Sequence, residues 1–377
     1  MQRRRKKLKN LNLPVLKVIF AAGGTGGHIF PAIAIADEIK KKFPDAEILF
    51  IGAKGRIEEK IVPQNNYNIK LIEIAGFNRE KYLMNISLPM KVVGSVLKSR
   101  RIIKEFKPDV VIGTGGFVCG PVIYAANRLK VPVLLQEGNS YPGKTIQYLS
   151  KKAGKVVLTF EDSNKYVKRK DNILNIAHPI RTSLKLIDKR EALKSFNLPV
   201  ENKTIFIFGA SQGARGINVA LDKIAPKLYE KNINLIWQTG VPDFKFYNDK
   251  YKQFSDKIKI LDFIEKIAYA FSAADLVICR SGITSIMEIA YLELPAILIP
   301  LPTSAENHQE MNARSMMNRK AAVMLLQKDL DKEMYNTIEK YLYGENLLNE
   351  LKTNISKFSD INAASKIADE VIKLAKL

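Results

Sequence analysis

The sequence predicts an α/β fold in which two Rossmann-like units follow each other along the chain. Short apolar runs rich in Val, Ile and Phe alternate with segments of helical periodicity, which is typical of βαβ units with a parallel sheet. This alternation starts again in the second half, where another apolar run ends in a glycine loop. A chain of 377 residues is also longer than a domain with a single hydrophobic core usually is. Two domains are therefore expected.

The positions of the apolar runs predict the strands of both units. In the first unit, strands are predicted at residues 15–21, 47–51, 109–112, 131–135 and 155–158. In the second unit, they are predicted at residues 204–208, 234–238, 257–261, 276–279 and 296–299. We place the boundary after Arg181, where a His-Pro break gives way to a charged linker, so that the domains are residues 1–181 and 182–355. A terminal helix is predicted over residues 356–377 and is a candidate to pack back on the first domain.

The charge balance indicates an anionic partner. Sixty Lys and Arg against 38 Asp and Glu give a net charge of +22, which attracts nucleic acid or an anionic membrane face. Nucleic acid is disfavoured, because the chain lacks stacking motifs and recognition-helix signatures and its one tryptophan, Trp237, lies in an apolar run. The two cysteines, Cys119 and Cys279, are too few for a disulfide framework or a zinc cluster, so a cytoplasmic location is the default.

Any membrane contact is expected to be peripheral. No stretch approaches the roughly 20 apolar residues that span a bilayer, and the basic residues 3–9 are not followed by an adequate signal segment. Residues 77–101 mix apolar and basic side chains, which suits an interfacial segment on anionic lipid at the cytoplasmic side of the cell membrane. The same pattern fits equally well a helix with a buried apolar side and a solvated basic side.

Three glycine loops each follow a predicted strand and precede a predicted helix. They span residues 23–28, 113–121 and 209–215. Glycine lets backbone N–H groups approach an anion, and a helix N-terminus adds positive potential, so the loops suit a diphosphate. The alternative is three tight turns that only pack helices on sheets. Pro31 is expected in the first turn of its helix. A NAD or FAD site is disfavoured, because its spacing needs glycine where Ile29 stands.

Several motifs occur in one order, which is more specific than any single loop. They are Gly23-Gly24-Thr25-Gly26-Gly27-His28, the Gly115-Gly116 loop, Glu137 with Asn139, Ser211-Gln212-Gly213-Ala214-Arg215, and Cys279-Arg280-Ser281-Gly282 leading to Glu288. Over residues 15–325 the sequence resembles the MurG family, the bacterial N-acetylglucosaminyltransferases that complete lipid II. The resemblance implies a GT-B glycosyltransferase fold, in which an acceptor-binding and a UDP-sugar-binding domain, both Rossmann-like, face each other across a cleft.

The resemblance also implies a reaction, an inverting transfer of GlcNAc from UDP-GlcNAc to the 4-hydroxyl of MurNAc in undecaprenyl-linked lipid I. His28 matches the proposed general base, and an imidazole, with a pKa of about 6.5, suits proton transfer near neutrality. The alternative for His28 is a helix cap or a phosphate contact. Glu288 matches the acid that accepts both ribose hydroxyls, and Ser211 and Arg181 match positions near the donor diphosphate.

The residues that the resemblance assigns to substrates come from both domains. Those for the donor UDP-GlcNAc are Thr25, Gly26, Gly27, Asn139, Arg181, Ser211, Gln212, Gly213, Ile264, Ile267, Arg280, Ser281, Gly282, Ile283, Glu288, His308 and Gln309. Those for the acceptor are Gly23, Gly24, Gly115, Gly116, Phe117 and Glu137. Ile264 and Ile267 match positions that hold uracil, and the alternative for this pair is the core of an amphipathic helix.

Three strings depart from the family pattern. The usual Gln-Gln pair reads His308-Gln309 here, and Gln309 is expected to keep its hydrogen bond to the donor sugar. The usual His-Glu-Gln-Asn string reads Gln136-Glu137-Gly138-Asn139. The usual Asn-Pro-Val-Arg string reads His178-Pro179-Ile180-Arg181.

Neither a metal nor another cofactor is expected. Asp329-Leu330-Asp331 has the Asp-x-Asp letters of metal-dependent glycosyltransferases, but its Lys-rich surroundings favour a solvated helix start. Helix dipoles and amides can instead neutralise the leaving UDP. A UDP-sugar 2-epimerase and a glycolipid synthase of related fold are the alternative functions, and the acceptor-side glycine loops favour the lipid II enzyme over both.

Overall fold

The computed structural model describes residues 15–74, 76, 88–180, 184–209 and 213–376. The strands of the first sheet are β1 (Lys17–Ala21), β2 (Glu47–Ala53), β3 (Asn68–Ile72), β4 (Val110–Gly113), β5 (Val133–Glu137), β6 (Lys155–Leu158) and β7 (Ile173–Asn175). Those of the second sheet are β8 (Thr204–Phe208), β9 (Asn234–Gln238), β10 (Ile258–Leu261), β11 (Leu276–Cys279), β12 (Ala296–Leu298) and β13 (Val323–Met324).

Helices separate most of these strands. Those of the first half are α1 (Gly26–Lys42), α2 (Glu58–Gln64), α3 (Leu88–Phe106), α4 (Cys119–Arg128) and α5 (Lys144–Leu149). Those that follow are α6 (Lys189–Ser195), α7 (Arg215–Glu230), α8 (Val241–Lys250), α9 (Ile267–Ala273), α10 (Ile283–Tyr291), α11 (His308–Asn318), α12 (Leu330–Tyr343), α13 (Glu345–Ile355) and α14 (Ala363–Leu374).

Both sheets are parallel and doubly wound. The first has the order β3-β2-β1-β4-β5-β6-β7 and the second the order β10-β9-β8-β11-β12-β13. Every neighbouring pair is parallel. The strand order reverses beside β1 in the first sheet and beside β8 in the second, and ligands of such sheets bind at the carboxyl ends of the strands at this point. The predicted fold class, two Rossmann-like domains facing across a cleft, is confirmed.

All ten predicted strands are present, several with ends displaced by one or two residues. Three observed strands, β3, β7 and β13, were not predicted. Each lies at an edge of its sheet. β7 and β13 have only three and two residues, and β3 mixes Asn and Lys with its apolar side chains. Short or half-polar edge strands lack the continuous apolar run that marks a central parallel strand.

The prediction for Pro31 is wrong. α1 already begins at Gly26, so Pro31 lies inside the helix, in its second turn. Pro31 has no N–H to donate to the carbonyl of Gly27, four residues earlier. The apolar residues that precede and follow Pro31 suggested a later helix start, whereas the glycine loop itself forms the first turn.

The last helix packs on the first domain. Ile367, Ala368 and Val371 of α14 join the same buried cluster as Val18 and Phe20 of β1. The predicted terminal helix over residues 356–377 is divided, because residues 356–358 form a short 3-10 helix and α14 begins only at residue 363.

Within the described residues, the structure has no helix that is both long and apolar enough to cross a membrane.

Candidate active site

The first glycine loop, between β1 and α1, is held by a buried carboxylate. Gly24 has a φ of +92°, a conformation that favours glycine. Its N–H donates to Glu58 Oε2 at 3.1 Å, and Glu58 Oε1 accepts from the Ala53 N–H at 3.0 Å. Glu58 is fully buried. The Gly24 N–H is therefore engaged by Glu58, a role that nothing in the polar sequence around Glu58 indicates.

His28 lies in the first turn of α1 and is fixed by the second glycine loop. Its Nδ1 is 3.1 Å from the carbonyl oxygen of Thr114, and the Thr114 hydroxyl donates to the His28 carbonyl at 2.7 Å. A carbonyl oxygen only accepts hydrogen bonds, so Nδ1 carries the proton and Nε2 holds the lone pair in the neutral ring. The sequence did not indicate this role of Thr114.

The ring of His28 is neutral near pH 7. Burial, the largest effect, and His308 together lower its pKa to about 4, although the hydrogen bond to Thr114 opposes the shift. A neutral imidazole can accept a proton, whereas an imidazolium cannot. His28 is thus in the protonation state that a general base requires.

The second glycine loop packs directly against the first. Gly115 and Gly116 have φ values of +107° and +79°. A Cβ on Gly115 would lie 2.4 Å from His28 Nδ1, and one on Gly116 would lie 2.2 Å from the Gly23 carbonyl oxygen. A Cβ on Gly24 would lie only 2.9 Å from the ring of Phe117. All the residues predicted for the acceptor except Glu137 are therefore brought together around His28.

Glu137 organises the loop that follows β5. Its Oε1 accepts from the backbone N–H of Asn139 at 2.9 Å and from the side-chain amide at 3.0 Å, and its Oε2 accepts from the Gly143 N–H at 3.2 Å. Burial raises the pKa of the Glu137 carboxyl, and these hydrogen bonds oppose the rise. Both oxygens are occupied by the loop, so the geometry gives Glu137 the task of positioning Asn139.

Two helix N-termini meet where the domains face each other. α1 begins at Gly26, and α10 begins at Ile283 with Gly282 as its N-cap. A Cβ on Gly27 would lie 3.6 Å from Thr284 Oγ1 and 3.8 Å from Ile283 Cγ2. Helix N-termini carry partial positive charge and free N–H groups, so their convergence favours an anion here. Gly27 and Ile283, predicted donor residues of the two domains, are thereby brought together.

The side chains before α10 are engaged within the second domain. Arg280 donates to the Ile299 and Pro300 carbonyls at 3.2 and 3.0 Å and to Gln327 Oε1 at 2.6 Å. Burial lowers the pKa of Arg280 to about 10, so it stays charged near neutrality. Arg280 thus connects the residues that follow β12 with Gln327, which follows β13.

The start of α11 is tied to the same region. The Ser281 hydroxyl donates to the Gln309 carbonyl at 2.9 Å, and Gln309 Oε1 accepts from the Leu301 N–H at 3.0 Å. His308 Nδ1 lies 2.6 Å from the Ala305 carbonyl oxygen. His308 is also one of the groups that lower the pKa of His28.

Other residues predicted for the donor lie on the second domain. Glu288, on α10, is half-buried, and its charge adds to the burial that raises the pKa of Cys279. Ile264 is buried and Ile267 partly buried in the core of the second domain. Ile264 also lines a cavity of about 410 Å³. A Cβ on Gly213 would lie 2.0 Å from the Thr239 carbonyl oxygen. Three predicted residues fall outside the described residues, namely Arg181, Ser211 and Gln212.

Two of the departures from the family pattern form one packing unit. Gln136 Nε2 lies 3.2 Å from Nδ1 of the buried His178, and a Cβ on Gly138 would lie 2.6 Å from that same nitrogen. Glycine at 138 therefore makes room for the imidazole at 178. Burial, with a smaller contribution from His28, lowers the pKa of His178 to about 3.

The Asp-x-Asp string has ordinary helix contacts. Asp329 precedes α12, and Asp331, in its first turn, pairs with Lys223 at 2.6 Å. Among the described residues, no group of three or more His, Cys, Asp and Glu side chains could hold a metal ion.

Family models and solved structures match the whole of this architecture. The glycosyltransferase family 28 N-terminal domain matches residues 18–158, and the corresponding C-terminal domain matches residues 204–371. The crystal structure of Acinetobacter baumannii MurG superposes with a TM-score of 0.77 and 27% identity, covering 95% of this chain and 99% of that one. A UDP-N-acetylglucosamine 2-epimerase superposes with a TM-score of 0.66 at 13% identity, a likeness that concerns the fold alone.

Curated relatives agree over nearly the full length. A protein of Flavobacterium psychrophilum is 43% identical over 96% of this chain and 98% of its own. One of Listeria monocytogenes is 36% identical over 96% of this chain and 100% of its own. Both are named UDP-N-acetylglucosamine–N-acetylmuramyl-(pentapeptide) pyrophosphoryl-undecaprenol N-acetylglucosamine transferase. The chain therefore belongs to glycosyltransferase family 28 and, within it, to the MurG family.

Proposed function

We propose that the protein transfers GlcNAc from UDP-GlcNAc to the 4-hydroxyl of MurNAc in undecaprenyl-linked lipid I, giving lipid II. The relatives' shared name supports this donor and this acceptor. The observation that carries the proposal is the position of His28, a neutral imidazole beside the convergence of two helix N-termini from opposite domains. Such a site pairs a base for an acceptor hydroxyl with positive potential for a departing diphosphate.

The reaction is a single displacement. His28 Nε2 accepts the proton of the acceptor 4-hydroxyl as its oxygen attacks the anomeric carbon. The bond from that carbon to the diphosphate oxygen breaks, and its electron pair leaves with UDP. The N-termini of α1 and α10 stabilise the charge that develops on the leaving group. One in-line attack converts the α-linked donor into a β-linked product.

The substrates divide between the domains. The two glycine loops around His28, with Phe117, form the acceptor side, where Glu58 and Glu137 hold the backbone in place. α10, with Glu288, and the start of α11, with Gln309, form the donor side. Thr25, Gly26 and Gly27 lie on the first domain, and Gly27 lies close to Ile283 and Thr284 of α10, so these three residues also contact the donor in this proposal.

A peripheral membrane position fits the surface of α3. Met90, Val93 and Leu97 are 79%, 60% and 60% exposed, and the exposed Lys91 and Lys98 lie on the same helix. Exposed apolar side chains among basic ones suit the interface of an anionic membrane. We propose that α3 meets the cytoplasmic face of the membrane, where an undecaprenyl-linked acceptor is anchored. The rest of the predicted segment, residues 77–87, and the basic tail lie outside the described residues.

The experiment combines the purified protein with labelled UDP-GlcNAc and a lipid I analogue. We expect a β-linked disaccharide lipid and one UDP per transfer. Conversion of UDP-GlcNAc to a 2-epimer without any acceptor would instead support the epimerase alternative. Glycosylation of diacylglycerol in place of the lipid I analogue would support the glycolipid synthase.

A further inference from the structure

One buried asparagine joins the two domains. Asn312 lies on α11 of the second domain and is fully buried. Its Oδ1 accepts from the Ser140 N–H of the first domain at 2.8 Å. Its Nδ2 donates to Asn139 Oδ1 at 3.0 Å and to the Ser281 carbonyl at 3.3 Å. A single amide thus serves the loop after β5 on one side and the residues before α10 on the other.

The partners of Asn312 make further hydrogen bonds within the acceptor side and within the donor side. On the first domain, Asn139 is held by Glu137, and the Ser163 hydroxyl lies 3.1 and 3.0 Å from the carbonyl oxygens of Asn139 and Ser140. On the second domain, the hydroxyl of Ser281 donates to the Gln309 carbonyl at 2.9 Å. A continuous path therefore runs from Glu137, on the acceptor side, to Gln309, on the donor side.

An amide is the group that this position requires. Asn312 accepts with one end and donates twice with the other, so neither an aspartate nor an apolar side chain of the same size reproduces its pattern. A carboxylate at 312 would face two oxygens. The amide of Asn139 cannot rotate to compensate without losing its bond to Glu137. Breaking a satisfied buried polar network costs more than removing an exposed contact.

A second contact between the domains uses the same helix but is more exposed. Arg319, just after α11, donates to Asp162 Oδ2 at 2.8 Å and to Oδ1 at 3.1 Å, and the Ser315 hydroxyl donates to Oδ2 at 2.8 Å. The Arg319 guanidinium lowers the pKa of Asp162. These two charged side chains are 36% and 40% exposed, so solvent screens the pair and weakens it. It holds the domains together without touching the predicted substrate residues.

We infer that Asn312 is a positioning residue through which the donor and acceptor sites are energetically coupled. A donor on α10 and the start of α11 fixes Ser281 and α11, which fixes the Asn312 amide. Through Asn312 the donor also fixes Asn139 in the loop after β5, and β5 lies beside β4, which leads into the second glycine loop. Such coupling is reciprocal, so each substrate strengthens binding of the other by the same factor. The inference rests on the proposed function, because it takes UDP-GlcNAc and lipid I as the two ligands.

The experiment measures the factor by which one substrate changes the Kd of the other. Calorimetry gives the Kd of a non-transferable phosphonate analogue of UDP-GlcNAc, alone and with a saturating short-chain lipid I analogue. In the unaltered protein the ratio of the two Kd values should be at least about fivefold, the lower end of typical coupling. In Asn312→Asp the ratio should fall to about one, while the Kd of the donor analogue alone changes little. The KM for the acceptor should rise in parallel.

Asp162→Asn is the matched control, because it weakens a different contact between the domains and should keep the ratio. If Asn312→Asp does not fold, Asn312→Ala removes the same bonds without adding a charge. A ratio near one in the unaltered protein, or an unchanged ratio in a folded Asn312 variant, overturns the inference. An unaltered protein that makes no disaccharide lipid overturns the proposed function instead, so the two failures are distinct.

Discussion

At the scale of single residues, the site depends on one ring whose orientation is set by a backbone carbonyl. Thr114 holds Nδ1 of His28, so the lone pair of Nε2 has a fixed direction. Burial keeps this ring neutral far below neutral pH, with a pKa of about 4. A base of low pKa holds no competing proton at physiological pH, and its effectiveness then depends on its placement.

Replacing His28 by alanine tests this role. His28→Ala should lower kcat by about 10²- to 10⁴-fold, the usual contribution of a positioned base. The Kd for UDP-GlcNAc should change little, because most of the proposed donor contacts lie on the second domain. In the unaltered protein, kcat/KM should fall only when the pH is well below 6.5, because the pKa of His28 in the free enzyme is lowered. Near-normal kcat in a folded His28→Ala protein would leave His28 as a loop contact.

Gly138 and His178 should behave as a coupled pair. Gly138→Ala places a Cβ 2.6 Å from His178 Nδ1, so it should destabilise the protein by about 1–3 kcal/mol. His178→Asn should remove most of this penalty, because the smaller side chain vacates the space. Urea unfolding of the two single variants and the double variant measures the coupling. Strictly additive effects would show that Ile283, whose Cγ1 would lie 3.0 Å from the same Cβ, limits position 138 rather than the imidazole.

Acid should destabilise the protein through the same histidine. The folded pKa of His178, about 3, is below the unfolded value of about 6.5, so the unfolded chain binds more protons between these values. The stability due to the neutral ring is complete above pH 6.5 and is lost as the pH falls toward 3. The urea midpoint should therefore drop over this window, less steeply in His178→Asn. Equal slopes would place the acid sensitivity in other groups.

At the scale of elements, the short helix α2 packs on the sheet through Val62 and also serves the loop between β1 and α1. Its first residue, Glu58, is the buried carboxylate that accepts from the backbone of Gly24 and Ala53. The loop that carries His28 therefore keeps its shape through a residue that is not part of the loop. A substitution in α2 is expected to act on the acceptor side.

Glu58→Ala tests this dependence. Two buried N–H groups would lose their acceptor, which should cost about 1–3 kcal/mol each in unfolding free energy. The KM for the lipid I analogue should rise, while the Kd for UDP-GlcNAc stays nearly the same. Glu59→Ala is the control, since Glu59 accepts only from the exposed Gly55 N–H. A Glu58→Ala protein with unaltered acceptor KM would show that the loop is rigid without its carboxylate.

The elements that sequence predicts well are those with strong local patterns. The central strands were recognised because burial on both faces makes them continuous apolar runs. The three glycine loops and His28 were found because turns and helix starts have their own residue preferences. Glu58, Thr114 and Asn312 were not assigned roles, because their partners are distant in sequence and only folding brings them together. The start of α1 was misplaced, since a proline inside a helix resembles one at its beginning.

At the scale of the whole molecule, the net charge of +22 and the exposed face of α3 bear on where the protein works. In the proposed function the lipid-linked acceptor is anchored in the bilayer, so we expect the first domain to approach the lipid surface while the second exchanges UDP with solvent. The electrostatic part of this attraction should weaken with salt, because exposed charges are screened within about 10 Å at 0.1 M.

Lys91→Glu combined with Lys98→Glu should reduce binding to anionic vesicles by about tenfold or more, since each basic residue near the surface contributes about 1 kcal/mol. Sedimentation with vesicles of anionic or neutral lipid, at low and high salt, measures this. Lys245→Glu, an exposed site on α8 of the second domain, changes the charge at another place and should have little effect. Equal binding to neutral and anionic vesicles at all salt concentrations would contradict the electrostatic contribution.

The packing of α14 on α1 determines when the first domain can finish folding. Lys42 and Asp369, which pair across this contact, are 327 positions apart in sequence. A ribosome that has synthesised the whole first sheet has still to add the second domain before Ile367, Ala368 and Val371 can cover β1. The domain made first is thus completed last, and until then part of its apolar surface is open to chaperones or to aggregation.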